Sequence, residues 1–177
     1  RRGGRSASFH SSYSFKLENH PVIDDLTVAA AYSRYDLLDG GLDTEGVNLK
    51  LIEIRTHEGD RCDFSIEFER EILTAPFEIV DGIEVAVGDY RQVEFEFEWS
   101  SSAKRPFFME MEIEYGDYYL GDALKLESRF FYRPSRFVHY QLGGDLTDAD
   151  MPVGNFEAWT GFLGLRVTPT TKLSFNS

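Results

Sequence analysis

The stretch Val93-Glu94-Phe95-Glu96-Phe97-Glu98-Trp99 constrains the fold more than any other part of this chain. Every second residue is large and apolar, and the residues between are carboxylates. A helix would spread the two kinds around its circumference. A β-strand, whose side chains point alternately to opposite faces, sorts them onto two surfaces. The same period continues in Phe107, Met109, Met111, Ile113 and Tyr115, set against Glu110, Glu112 and Glu114. It recurs in Leu124, Leu126, Phe130 and Tyr132, set against Lys125, Glu127, Arg129 and Arg133. Weaker copies run from Phe9 to Leu17, Leu26 to Tyr32, Val47 to Ile54, Phe64 to Phe68, Phe137 to Leu146 and Phe156 to Arg166, with a stub from Leu173. No window of a dozen residues carries uninterrupted helical spacing. The pattern predicts an all-β fold, an antiparallel up-and-down meander of about ten strands.

The connections between these segments are expected to alternate. Short ones fall at His57 to Arg61, Ser100 to Arg105, Pro134 to Arg136 and Thr168 to Thr171; long or Gly- and Asp-rich ones at Asp36 to Gly46, Glu71 to Asp89, Gly116 to Gly121 and Asp145 to Asn155. Tight turns at one end and extended loops at the other are the pattern of an outer-membrane barrel. Strands of about nine to eleven residues also suit a tilted crossing of a hydrocarbon core. No apolar run approaches the ~18 residues that a membrane-spanning helix needs, and that absence says nothing of strands.

On this reading Phe95, Phe97, Met109, Met111, Ile113, Leu124 and Leu126 face lipid, and Trp99, Phe107, Tyr115, Tyr118 and Tyr119 mark the interfaces. A polar ladder of Glu94, Glu96, Glu98, Glu110, Glu112, Glu114, Lys125, Arg129 and Arg133 faces the lumen. A row of acids beside a row of bases crosslinks an interior that has no apolar core; it could also serve as a cation-selective lining. The same alternation would suit a soluble β-sandwich binding module, provided that a second layer covers the apolar face.

Charge narrows the partners. With 18 Lys and Arg against 31 Asp and Glu, the net charge of −13 has the wrong sign for tracking phosphates, and nucleic acid is not expected as a partner. The single cysteine, Cys62, forbids an intrachain disulfide and a multi-cysteine metal site. His10, His20, His57 and His139 are too scattered for a helical metal pair. Ser128 and His139 lie on neighbouring predicted strands, and a barrel-borne hydrolase would need them to converge with an acid. No nucleophile elbow, phosphate loop or dinucleotide fingerprint is present. Asp145, Asp148 and Asp150 cluster without the spacing of a calcium loop and read as a solvated acidic loop. No catalytic residue, cofactor or metal ligand is expected, and the chain is read as non-enzymatic.

Five motifs occur in a characteristic order: Ala75-Pro76-Phe77-Glu78-Ile79, Gly88-Asp89-Tyr90, Tyr115-Gly116-Asp117-Tyr118-Tyr119-Leu120-Gly121, Tyr132-Arg133-Pro134-Ser135 and Met151-Pro152-Val153-Gly154-Asn155-Phe156. From about Ser65 onward they resemble the bacterial barrel domain called domain of unknown function 5916. Met151 and Asn155 stand where that family tends to have Leu and Asp. The resemblance implies a bacterial outer-membrane location and a family-9-type carbohydrate-binding module upstream. It would make residues 1–177 one fragment of a barrel domain, lacking that module and the closing strands, with the lipid bilayer as partner and glycans reached through the missing module. It carries over no catalytic residues. The expected product is an open sheet with two free edges; a passive or gated pore is the other function such an architecture would support.

Overall fold

The computed structural model describes residues 4–38, 40–170 and 173–176. Twelve strands follow one another: β1 (Gly4–Lys16), β2 (Ile23–Leu37), β3 (Leu42–Thr56), β4 (Arg61–Leu73), β5 (Phe77–Val80), β6 (Ile83–Val85), β7 (Gly88–Ser100), β8 (Phe107–Tyr118), β9 (Gly121–Ser135), β10 (Val138–Met151), β11 (Gly154–Thr170) and β12 (Leu173–Asn176). Ten of them form one antiparallel sheet in chain order, interrupted only where β5 and β6 make a separate hairpin between β4 and β7. Among the described residues the sheet does not close. β1 pairs with β2 alone, and all its side chains are exposed.

Every alternating segment became a strand, and most strands run several residues beyond it. That extension corrects the expected rhythm of the connections. Asp145 to Asn155 and Gly116 to Gly121 are paired strand ends joined by two-residue turns at 152–153 and 119–120, and the β2–β3 connection shortens to 38–41. Backbone pairing needs no apolar side chain, so strands continue where the hydrophobic alternation fades. Only the 74–87 connection is long, and it folds into β5 and β6. Tyr119 sustains its tight turn at φ 54°, a left-handed conformation that a non-glycine residue adopts rarely.

Cross-strand register fixes the two faces. On the apolar face, Phe64 lies opposite Phe97, Phe97 opposite Ile113 and Ile113 opposite Leu126. One step along, Ile66 meets Phe95, then Tyr115, then Leu124. The intervening residues point the other way, as the pleat requires. No second layer covers the apolar face among the described residues. Phe95 is 44% exposed, Phe107 54% and Tyr115 55%, while Phe97, Met109, Met111, Ile113 and Leu126 are half-buried; on the polar face Glu94, Glu96, Glu98, Glu112 and Glu114 are half-buried and Glu110 is exposed.

The buried apolar side chains are Ile83, Val85, Tyr90, Phe108, Ala123, Ala149 and Met151. Ile83 and Val85 belong to the β5–β6 hairpin; the other five carry the phase of the polar face, and none belongs to the apolar one. Most of them form a cap at one end of the sheet. There the hairpin lays Ile83 against Gly154, and the Tyr119 ring sits 5.3 Å from Tyr90 and 5.5 Å from Phe77. A Cβ at Gly154 would lie 3.0 Å from Ile83 Cδ1, so the missing side chain is what admits the hairpin.

At the opposite end the turns are laced by hydrogen bonds. The His57 amide donates to Val22, the Ser102 amide to Asp60, the Arg133 amide to Pro106 and the Thr168 amide to Phe137. Arg105 donates to both oxygens of Asp60, at 2.5 and 2.8 Å. This pairing, followed by the Ser102 amide, holds the Asp60 carboxyl below the usual carboxylate range.

Candidate functional site

The charged face of β3, β4, β7, β8 and β9 is the most organised polar feature of the molecule. Glu98 lies opposite Glu112 and Glu112 opposite Glu127; Glu96 lies opposite Glu114 and Glu114 opposite Lys125. Three acids in one row would repel across ~5 Å. Cations set on the flanks offset this. Lys125 Nζ reaches Glu114 at 2.6 Å and, past it, Glu94 at 2.8 Å. Arg61 binds Asp63 at 2.8 Å and contacts Glu98, while Arg129 pairs with Glu127. Ser65 Oγ donates to Glu96 at 2.9 Å.

A second cluster extends the lattice into β3. Lys50 Nζ lies 2.9 Å from Glu53 and 3.1 Å from Asp63. Residues three apart in a regular strand face opposite ways. Here the register shifts between Lys50 and Ile52, and that bulge brings Lys50 and Glu53 onto one side. Asp63 is only 2% exposed and still ionically matched. No buried side-chain nitrogen or oxygen among the described residues lacks a hydrogen-bond partner.

All nine ladder residues read from the sequence share this face, and all seven residues expected to point away from it do so. Lys50, Glu53, Arg61, Asp63 and Ser65 were not singled out; the alternation Arg61, Asp63, Ser65, Glu67 was the available signal. The interfacial aromatics divide. Trp99, Phe107 and Tyr115 stand on the apolar face at the ends of its band, and Tyr132 and Tyr140 stack beside Phe107 at the laced end, 6.2 Å apart. Tyr118 and Tyr119 do not join them. Tyr118 is in phase with Glu114 and Gly116, its ring 6.0 Å from the Lys125 ammonium. Tyr119 packs into the cap, where its hydroxyl donates to Glu71; burial first, and Glu71 second, push its pKa above the usual tyrosine value.

A row of charge also went unread. Arg34, Glu45, Arg70 and Arg91 are cross-strand neighbours in phase with the apolar face, one step beyond the row Tyr32, Val47, Phe68 and Val93. Arg70 holds Asp89 through two bonds of 2.8 and 2.9 Å, and Glu45 at 3.3 Å. The apolar face is therefore a band with an ion-paired border toward the cap.

The structure separates other groups that sequence proximity had joined. Ser128 lies opposite Met111 on the apolar face, and His139 lies opposite Arg166 on the polar face, so the two cannot form a catalytic pair. Asp145, Asp148 and Asp150 belong to β10 and not to a loop; Asp145 accepts from Thr160 on one face while the other two point to the opposite one. One oxygen each of Glu96, Glu98 and Glu112 lie within 4.8 Å of one another, a set of hard ligands that could hold a divalent cation. Arg61 and Ser65 already supply partners to Glu98 and Glu96.

Four of the five sequence motifs meet in the cap: Phe77, Tyr90, Tyr119 with Leu120, and Met151 with Val153. The fourth in order, Tyr132 to Ser135, lies at the laced end. No family model, curated protein or solved structure matches the chain.

Proposed function

We propose that this chain is part of a bacterial outer-membrane β-barrel, its apolar band turned to lipid and its charged lattice lining the interior. The role is non-enzymatic: the lattice holds the wall in shape, and carbohydrate binding or uptake belongs to a module outside these residues, as in the family that the chain resembles. One observation carries this reading. Among the described residues, every buried apolar side chain outside the hairpin has the phase of the polar face, and no second layer covers the apolar face.

Fully burying a Phe or Leu is favourable by about 1.5–3 kcal/mol, so a face this large left in water would be costly many times over. Lipid removes that cost. The band has a comparable height: from Leu124 to Tyr132 the outward residues span ~26 Å along β9, or ~19–22 Å at a tilt of ~35–45°, against the ~25 Å apolar belt of such barrels.

Extraction of the whole protein from membranes tests the proposal. The expected result is a requirement for detergent and a gel mobility that changes on heating, as the folded barrel resists the denaturant. Recovery in the aqueous phase without detergent, with one mobility at all temperatures, would overturn it.

A further inference from the structure

We infer that the polar face carries a binding site for a small ring-shaped ligand bearing a carboxylate, at the laced end of β8 to β11. Three clefts open on this face. Two are dominated by acids: one sets Arg61 and Arg129 against Asp63, Glu98, Glu110, Glu112 and Glu127, and the other sets Lys125 against four glutamates. The third and largest, about 620 Å³, reverses the balance. Arg133 lines it beside His139 and Arg166, which already has a partner of its own, with Glu110 as its one carboxylate. In a chain of net charge −13 this is a local exception, and it favours an anion.

Its wall is equally out of keeping with the face. Phe107-Phe108 and Phe130-Phe131 each break the alternation, placing one ring on either side of the sheet. On the polar side Phe108 and Phe131 stack with centroids 4.4 Å apart and planes 5° apart, and the Arg133 guanidinium lies 4.3 Å from the Phe108 ring. The row continues through Gln141 to Gly164, which contributes no side chain and leaves the space open.

These parts match one ligand chemistry. Phe131, with the buried Phe108 stacked behind it, backs a flat ring, whether the C–H face of a sugar or an arene. The planar guanidinium fork of Arg133, which gives Nη1 to the Ala103 carbonyl at 3.3 Å, suits a carboxylate. Gln141 and His139 offer both donors and acceptors for ring hydroxyls. The volume lies within the range of small-molecule sites. The site stands on the polar face and does not rest on what covers the apolar one.

The test is titration of the whole detergent-solubilised protein with glucuronate, benzoate and glucose, followed by saturation-transfer NMR and calorimetry. Binding of either acid at least about tenfold tighter than glucose is expected, the carboxylate making the difference. Glucuronate alone would identify a sugar acid, and benzoate alone an aromatic acid. Arg133→Gln should weaken the bound acid about tenfold or more, while the variant remains folded with a cooperative thermal transition. Gly164→Leu fills the cleft from the opposite wall without touching Arg133, and should abolish binding. Binding of neither acid, glucose binding as tightly as both, or wild-type affinity in either folded variant would overturn the inference.

Discussion

The two faces of this sheet solve the same problem in opposite ways. On the polar face, many side chains that water would gladly solvate are half-buried and ion-paired, down to Asp63 held between Lys50 and Arg61. On the apolar face, side chains that water disfavours have no second layer over them among the described residues, and Phe64 beside Phe95 and Phe107 beside Phe130 stack along the sheet surface. A soluble sheet pairs the reverse way: polar residues out, apolar residues against a second layer. On the proposed reading, this contrast between the faces tells which medium each one meets. The side that carries its own electrostatic solution can tolerate enclosure, and the side that carries none needs an apolar medium.

The contrast is broken most sharply by putting the same charge on adjacent residues. Met111→Arg places a guanidinium mid-band on the apolar face and should cost about 2–4 kcal/mol near the bilayer midplane. Glu112→Arg places it between Glu98 and Glu127, where it replaces one of three like charges in a row, and should be close to neutral. Urea unfolding of the two variants in detergent or lipid checks this, and equal costs would merge the faces that the account keeps apart.

A smaller effect probes the polar face alone. Lys125→Met leaves Glu94 and Glu114 without their shared cation. Removing one partner of a fully buried pair costs several kcal/mol; Lys125 is about a third exposed, so the expected loss falls to about 1–2 kcal/mol. Adding Glu114→Gln should recover part of it. A lattice that mattered only for solubility would show no change in the unfolding midpoint in either variant.

Much of this architecture was legible because the alternation is both a local signal and a global one. Val93 to Trp99 assigns strand and face together, and with the like runs in the two strands that follow it gives the nine ladder residues. What escaped were features that the alternation does not encode. The ends of β8 and β10 read as loops because Gly116, Asp117, Asp148 and Asp150 look like turn residues, yet their backbones still pair. The hairpin β5–β6 was hidden in a connection too short in each arm to show a period. Tyr118 and Tyr119 looked alike as aromatics beside a turn; a left-handed Tyr119 sends one ring to the lattice and the other into the cap. Lys50 with Glu53 depended on a bulge that no spacing rule announces. The Arg34, Glu45, Arg70 and Arg91 border was visible in phase, but only register shows that the four form one row.

The most direct test of the account is the environment of each residue along β7. Single-cysteine variants at positions 93 to 99, made after Cys62→Ser in the whole protein, would be spin-labelled in lipid vesicles. Relaxation would then be measured against oxygen, which concentrates in hydrocarbon, and against a water-soluble nickel chelate. The account predicts oxygen access at 93, 95, 97 and 99 and lower oxygen access at 94, 96 and 98, a period of two with no chelate access at 95 or 97. Chelate access at 95 and 97, or shielding of those positions from both reagents as under a second protein layer, would contradict it.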